Sequence, residues 1–388
     1  MAIALAASPA YVIRPHVGPL PTTALELLLV PAILLGLAAY WADLPWRNPF
    51  TWPALLFLAA ASLDTVFAPD RRAALGLWKA YFVEPIAAGL VIAAMARARL
   101  DARLLLAGLA VAGTVSALSN LGLDAGALAA HNYSNVTPPV AIYNSANATA
   151  LFLEPLIAFA LAIALYAQAP RERYLAGALA ALFALADLFS DSRLGWITLG
   201  ALCLFVAAFH ARRWWVYGAA AVGSALAFAL SHSVRERILV EFRPEDPRNT
   251  LALRASLWRS TLNMLAHRPL FGGGLSGFRQ SIEPFRDPSY HEDLIYPHNL
   301  VLNLWSETGI LGLAAFAGIC VQLVRVARPL LRGDPWRRAL GVGMLGVLVA
   351  FVIHGIGDVP YFKNDQSLAF WALLAIPLGA ATDNQGAP

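Results

Sequence analysis

The chain has 388 residues, of which 59% are hydrophobic and only 13% are charged, whereas a soluble protein carries about 25% charged residues. This composition excludes an ordinary soluble enzyme. Apolar stretches of about 17 or more residues recur along almost the whole length, each long enough to cross a membrane as a helix. The net charge of +4 comes from arginines and indicates charged loops, with no nucleic-acid partner. The sequence therefore predicts an all-α, polytopic transmembrane helix bundle.

Neither the cysteines nor the amino-terminal stretch carry a disulfide, metal or signal-peptide motif. Cys203 and Cys320 both fall inside apolar spans, so no disulfide framework is expected, and no Cys/His spacing resembles a zinc site. The stretch from Met1 to Ile13 is apolar but short, without a basic start or a small-residue cleavage site, so no cleaved signal peptide is expected.

Eleven candidate spans follow from the apolar runs between charged or Pro/Gly-marked breaks. They are predicted near 22–41, 51–67, 72–96, 104–121, 147–167, 174–189, 193–209, 214–231, 299–324, 339–356 and 367–382. Residues 1–20 form a partial or interfacial segment or one further span, which gives about 11–12 spans.

The short loops indicate the orientation. With the amino terminus placed outside, thirteen arginines fall in the cytoplasmic loops and five basic residues in the outer short segments. Because positively charged loops are retained in the cytoplasm, the hydrophilic connection 232–298 is expected to face outward. The expected organisation is an N-terminal bundle of about eight spans (1–231), an outer loop with site helices (232–298) and about three C-terminal spans (299–388).

The outer loop is predicted to contain an amphipathic helix from Thr250 to Ala266, with Asn249 as its N-cap. Such a helix could lie in the membrane interface or pack on the spans. A run of three glycines, Gly272 to Gly274, follows it. We interpret this run as a turn rather than a phosphate cradle, because no Walker-type lysine follows.

Polar residues that are far apart in sequence converge on the outer ends of the predicted spans. Asn144 and Asn147 precede the fifth span, and Glu307 lies about two turns into the ninth. The others are Ser190, Asp191, Ser192 and Arg193 between spans six and seven, Arg254 in the outer loop, His298 and Asn299 at the start of the ninth span, and His354, Asp358 and Tyr361 at the end of the tenth. This convergence predicts a site at one membrane face.

Each of these residues also has a purely structural interpretation. Arg193 could anchor its helix in the interface, Arg254 could be a solvated face residue, and His298 could cap a helix. An acid such as Glu307 within a span is costly and usually paired or functional.

Other charged residues lie inside the spans. Lys79 and Glu84, five residues apart in the third span, are expected to neutralise each other within the bundle, while Glu154 and Asp187 remain open.

Arginines and a histidine at one membrane face suit a particular chemistry. The planar arginine fork binds phosphate oxygens bidentately, and a neutral histidine is the usual general base near pH 7. Together they suit displacement of a lipid-linked phosphate or pyrophosphate by a hydroxyl. No acidic pair of the DxD kind stands in the outer segments, which favours a route without metal.

Four motifs resemble one family. The segment 298–312, HNLVLNLWSETGILG, resembles the HN…L…E.G..G signature of the O-antigen ligase and polymerase superfamily. The block from Leu253-Arg254 through Trp258 to the glycine run and Phe278 resembles its R…W…P..G.G…F block. Ser192-Arg193 resembles its S-R element, and the NSAN segment 144–147 resembles its asparagine-containing element.

The resemblance implies a transferase that moves a glycan from polyprenyl pyrophosphate to an acceptor outside the bacterial cytoplasmic membrane, without metal or cofactor and with inversion. By this likeness His298 deprotonates the acceptor hydroxyl, and Arg193 and Arg254 hold the pyrophosphate. Asn299 and Glu307 would orient His298 or its helix. The remaining candidates for substrate binding are Asn144, Asn147, Ser192 and Trp258. The family usually shows twelve spans, one more than the apolar runs give.

The implied partners are the polyprenyl-pyrophosphate-linked glycan donor, a lipid A core or other glycan acceptor, and membrane lipids. A polysaccharide polymerase and a protein O-oligosaccharyltransferase share the donor and remain alternatives. A transporter of the same lipid-linked sugar, with Lys79, Glu84 and Glu154 on its path, is the alternative from another class. Against it, no internal repeat relates two halves of the chain.

Overall fold

The computed structural model describes residues 1–15, 21–134, 139–143, 145–211, 213–230, 232–243, 246, 249–287 and 295–382. Within these ranges every regular element is a helix, which confirms the all-α bundle. The amino-terminal helices are α1 (Ala2–Ala6), α2 (Ala24–Tyr40), α3 (Thr51–Val66), α4 (Arg71–Trp78), α5 (Glu84–Met95), α6 (Arg99–Ala129), α7 (Ala146–Tyr166), α8 (Pro170–Phe189) and α9 (Arg193–Ala207).

The remaining helices are α10 (Arg213–Leu230), α11 (His232–Leu239), α12 (Thr250–His267), α13 (Phe278–Ile282), α14 (Leu300–Leu330), α15 (Pro335–His354) and α16 (Asn364–Thr382). By length and hydropathy, five helical segments in the described part of the chain can cross a membrane: Arg71–Met95, Arg99–Ala129, Ala146–Tyr166, Leu300–Leu330 and Pro335–His354. The first of these joins α4 and α5 through a π-helical turn, Lys79–Val83. Every one of the eleven predicted spans falls on a helical segment.

The amino-terminal residues form a short packed segment. Helix α1 and the 3₁₀-helix Ser8–Val12 pack against α6, and the side chains of Leu5 and Ser8 are fully buried. At about 1.5–2 Å of rise per residue, residues 2–12 are too short to cross a hydrocarbon core of about 30 Å. They therefore form a partial segment by themselves.

Helix α7 lies at the centre of the bundle and packs most extensively on α15 and α8. Nearly all its residues from Ala148 to Ala160 are buried. Close approach to α15 depends on Gly346, where a Cβ atom would lie 2.7 Å from the Cβ of Ala158. This close contact brings the first turn of α7 beside the chain that leaves α15.

Helix α14 is broken at Gly309, which has φ 61° and ψ −178°. The 21 residues from Ile310 to Leu330 are about 31 Å long, enough to cross the hydrocarbon core on their own. Leu300–Thr308 is thus an additional half-helix at the amino-terminal end of α14. Glu307 belongs to this half-helix and lies about two turns after its start.

Lys79 also differs from expectation. Its ammonium pairs with the carboxylate of Glu26 on α2 rather than with Glu84, and Asn364 Nδ2 donates to the same carboxylate at 3.3 Å. The pairing of Lys79 with Glu84 was therefore wrong, although the charge is neutralised within the bundle as expected.

The hydrophilic connection before α14 contains the predicted amphipathic helix as α12, and Asn249 caps it by accepting a hydrogen bond from Ala252 N at 2.8 Å. Its apolar residues Leu257 and Leu265 are buried against Phe278 of α13 and Leu302 of α14. Leu262 of the same helix is half exposed. Helix α12 is therefore attached to the half-helix of α14.

Candidate active site

His298 lies immediately before α14 and has a positive φ of 47°. The next residue, Asn299, has an extended backbone and caps the helix by accepting a hydrogen bond from Leu302 N at 3.0 Å. The His298 imidazole lies 4.6 Å from the ring of Tyr296, centroid to centroid, and its side chain is 26% exposed. A positive φ in a non-glycine residue is strained and often marks a functional position.

Two hydrogen bonds attach the start of α14 to the turn that follows α15. Asn299 Nδ2 donates to Ile356 O at 2.9 Å, and Leu300 N donates to Gly355 O at 2.8 Å. They bring Asp358 opposite His298, with His298 Nδ1 at 3.7 Å from Asp358 Oδ1. Asn299 therefore positions the histidine and its carboxylate partner at once.

The Asp358 carboxylate is buried and held on both oxygens. Oδ1 accepts from Val359 N at 2.9 Å, and Oδ2 accepts from Asn147 Nδ2 at 2.6 Å. Burial acts to raise the pKa of Asp358, but His298 and the charge of Arg254 outweigh it and bring the pKa well below its ordinary value. Asp358 is therefore an ionised carboxylate beside the imidazole.

Asn147 and Ser192 support this carboxylate. The Ser192 hydroxyl donates to Asn147 Oδ1 at 2.7 Å and accepts from Gly195 N at 3.1 Å as the N-cap of α9. Asn147 is thereby fixed with its amide nitrogen toward Asp358. Both residues were expected to bind substrate, and in the structure they hold the Asp358 carboxylate in place.

Helix α12 contributes Arg254 and Trp258 to the site. The guanidinium of Arg254 lies against the backbone of Gly357, where a Cβ atom would come within 2.9 Å of it. One turn further on, Trp258 Nε1 donates to Pro297 O at 3.0 Å. Trp258 thus fixes the backbone that leads into His298.

Arg193 lies at the first turn of α12. Its guanidinium forms an ion pair with Glu241 and donates to the Thr250 hydroxyl at 3.2 Å. Glu241 also accepts from the Thr250 hydroxyl at 3.0 Å and from Leu251 N at 2.8 Å. Arg254 is four residues after Thr250, so Arg193 and Arg254 lie at the same end of α12. The carboxylate of Glu241 lies between Arg193 and this end of the helix.

Glu307 lies apart from these groups. It lies seven helical steps, about 10 Å, along α14 from Leu300, and its buried carboxylate accepts from Ser276 N. Beside it, Gly273 N donates to Ser306 O at 2.7 Å. Gly272 has φ +58°, and a side chain there would collide with the same carbonyl. Glu307 therefore fixes the glycine-rich turn to the half-helix.

A buried polar pair lies beneath the site. His354 Nδ1 and Glu154 Oε1 are 2.6 Å apart, and both side chains are buried. The backbone carbonyl of His354 accepts from Gly357 N at 3.1 Å and from Asp358 N at 3.0 Å. Glu154, which the sequence leaves open, therefore helps to hold the turn that carries Asp358.

Asn144 lies outside the described residues.

Asp358 is a site residue whose role the sequence does not predict, since the sequence places it only as a polar residue at the end of a span. A histidine base needs a group that orients its ring, and Asp358 was one of the few acids expected on the same face. Among the described residues no cluster of three or more His, Cys, Asp or Glu side chains forms a candidate metal site.

Comparison with known proteins supports the motifs. Residues 177–317 match the family model described as O-antigen ligase. No curated protein matches the chain. The match confirms the predicted resemblance and indicates a membrane glycosyltransferase of the ligase or polymerase type. It includes Arg193, Arg254 and His298, whereas Asn147 and Asp358 lie outside the matched residues and join the site only through the fold.

Proposed function

We propose that this protein transfers a glycan from polyprenyl (undecaprenyl) pyrophosphate to an acceptor hydroxyl at the outer face of the bacterial cytoplasmic membrane. We further propose that it acts as an O-antigen ligase, with the lipid A core as acceptor. The observation that carries the proposal is the orientation of His298 Nδ1 toward the ionised Asp358, 3.7 Å away, beside Arg254.

His298 is the base of the proposed reaction. A carboxylate facing Nδ1 favours the tautomer with the proton on Nδ1, so that the lone pair is on Nε2. Nε2 takes the proton of the acceptor hydroxyl as the acceptor oxygen forms a bond to the anomeric carbon. The bond between that carbon and the pyrophosphate oxygen breaks at the same time. Attack opposite the leaving group inverts the anomeric carbon, and polyprenyl pyrophosphate carries away the bond electrons.

The arginines stabilise the leaving group in this scheme. Charge builds on the pyrophosphate oxygens as the bond breaks, and preorganised guanidinium donors stabilise that charge strongly. Arg254 lies against Gly357, next to Asp358. Arg193 is paired with Glu241 in the structure, so a donor phosphate that binds Arg193 displaces this carboxylate.

The topology supports a single outer face for the chemistry. Asn147, Ser192 and His298 stand at the starts of α7, α9 and α14, and Asp358 follows the end of α15. The positive-inside bias of the loops supports an outer position for all four ends. A site at this face reaches a donor whose glycan is already displayed on the outer leaflet.

The test measures glycan transfer by the purified full-length protein in detergent, with polyprenyl-pyrophosphate glycan as the donor. Three acceptors are supplied one at a time: lipid A core oligosaccharide, free repeat-unit glycan and a serine-containing peptide. The expected result is glycosylated lipid A core with stoichiometric release of polyprenyl pyrophosphate. Elongation of the repeat-unit glycan without core transfer would instead make the protein a polymerase, and peptide glycosylation a protein transferase. No release with any acceptor, together with passage of the lipid-linked sugar across proteoliposomes, would make it a transporter.

A further inference from the structure

Helices α6, α7 and α8 line an apolar groove of about 430 Å³, whose lining includes no residue of the site around His298. Its walls are α6 from Arg103 to Thr114 and α8 from Glu172 to Phe183, and buried residues of α7 form its floor. Apart from the residues at its two ends, the side chains that line it are aliphatic or aromatic. A groove of this kind between spans is filled by hydrocarbon and not by water.

The length of the groove matches one leaflet of a bilayer. Each wall extends over eleven helical steps, from 103 to 114 and from 172 to 183, which is about 16 Å. Half of a hydrocarbon core of about 30 Å is about 15 Å. One phospholipid acyl chain therefore fits the groove from end to end, whereas a polyprenyl chain is much longer than the groove.

The charges are confined to one end, which we call the groove mouth (Arg99, Arg103, Glu172 and Trp336). Arg103 pairs with Glu172 at 2.6 Å across the groove. The guanidinium carbons of Arg99 and Arg103 lie 5.3 and 5.5 Å from the centre of the Trp336 ring. Tryptophan and arginine together are typical of the headgroup level of a membrane.

The surroundings of the groove mouth are strongly basic. Further arginines flank these residues in the chain: Arg97, Arg171, Arg173, Arg337 and Arg338. The acids in the same segments are Asp101, Glu172 and Asp334, so positive charge is in excess. Basic pockets between spans on the cytoplasmic side are suited to anionic headgroups.

We propose that this groove is a binding site for a phospholipid of the cytoplasmic leaflet, with one acyl chain between α6 and α8 and an anionic headgroup phosphate at Arg99 and Arg103. The proposal is independent of the transfer reaction. It assigns a lipid of defined headgroup charge to a defined position, in contrast to the interchangeable lipids around the rest of the bundle.

The experiment uses delipidated full-length protein in detergent, to which phosphatidylglycerol or phosphatidylcholine with the same acyl chains is added, with bound lipid counted by native mass spectrometry. Wild-type protein is expected to retain one phosphatidylglycerol in preference to phosphatidylcholine. The double variant Arg99→Gln, Arg103→Gln should bind phosphatidylglycerol about fivefold more weakly for each arginine removed. Arg213→Gln is the matched control, since Arg213 also stacks on a tryptophan, Trp214, and lies outside the groove.

A second variant tests the acyl-chain position without changing charge. Ala107 lines the groove, and Ala107→Trp should remove the retained phosphatidylglycerol. Ala59→Trp, on an exposed face of α3 outside the groove, should not. Equal retention of the two lipids, or equal retention by Ala107→Trp and Ala59→Trp, would overturn the proposal.

Discussion

His298 Nδ1 and Asp358 Oδ1 lie 3.7 Å apart, although sixty positions separate the two residues in the chain. The relationship depends on the hydrogen bonds from Asn299 and Leu300 to the turn after α15. Asn147 fixes the other carboxylate oxygen from α7. Three separate parts of the chain thus converge on one imidazole, which is the arrangement that a positioned general base requires.

Arg254→Ala should lower the rate of transfer by about 10²–10³-fold, because a preorganised donor to the leaving group contributes on this scale. Arg254→Lys should recover only part of the rate, since lysine lacks the bidentate fork. Both are measured as kcat with purified protein. Arg259→Ala is the control, because Arg259 is exposed on the same helix. Equal activity of the two alanine variants would remove Arg254 from the site.

Glu241→Gln should lower the KM for the lipid-linked donor by up to about fivefold, the range of a partly exposed ion pair. Glutamine keeps one acceptor oxygen, which can still accept from Leu251 N, and its amide nitrogen can donate to the Thr250 hydroxyl, but it no longer neutralises Arg193. The donor KM is compared with that of Glu236→Gln, which removes an exposed pair with Arg243. A higher donor KM in Glu241→Gln would show that Glu241 supports the phosphate site instead of competing for it.

Gly309→Ala should destabilise the protein. An alanine at φ 61° and ψ −178° costs about 1–3 kcal/mol, and its Cβ would also collide with the carbonyl of Leu270. Gly200→Ala, in a helix with open space around it, should instead be neutral or slightly stabilising. Melting temperatures in detergent distinguish the two. Equal melting temperatures of the two variants would contradict this prediction, because they would show that α14 accommodates a side chain at position 309.

The low pKa of Asp358 predicts how the protein responds to acid. Because its folded pKa lies below the ordinary value of about 4, the ionised carboxylate stabilises the fold above that pH. This contribution is lost as the pH falls toward the folded pKa. Between about pH 5 and pH 3, the melting temperature of wild-type protein should therefore fall more steeply than that of Asp358→Asn. Parallel plots of melting temperature against pH for the two proteins would contradict the low pKa of Asp358.

Much of the fold follows from local sequence. The apolar runs predict the spans because backbone groups in hydrocarbon must be satisfied within a helix, and Asn249 predicts the start of α12 because its side chain satisfies a free backbone amide. The kink at Gly309 was missed. The helix is interrupted where Ile310 N donates to Leu270 O instead of to its own helix. A glycine inside an apolar run does not by itself predict such a tertiary contact.

Only part of the site can be predicted from the sequence, because contacts between distant helices leave no local pattern. The motifs give His298 and both arginines, since each motif is local. Asp358 and Asn147 reach the imidazole through contacts between spans, and no local pattern records those contacts. Glu241 was missed because an acid in a charged loop is usually solvated. Glu307 belongs to a motif, but the motif does not predict that its carboxylate holds the glycine-rich turn.

The most direct test of the account is the transfer rate of His298→Ala, Asp358→Asn and the double variant under identical conditions. If the carboxylate acts through the imidazole, each single change should lower kcat by about 10²–10⁴-fold. The double variant should then be no slower than His298→Ala, because residues that act as a unit are not additive. A loss in the double variant equal to the product of the two single losses, or undiminished transfer by His298→Ala, would contradict it.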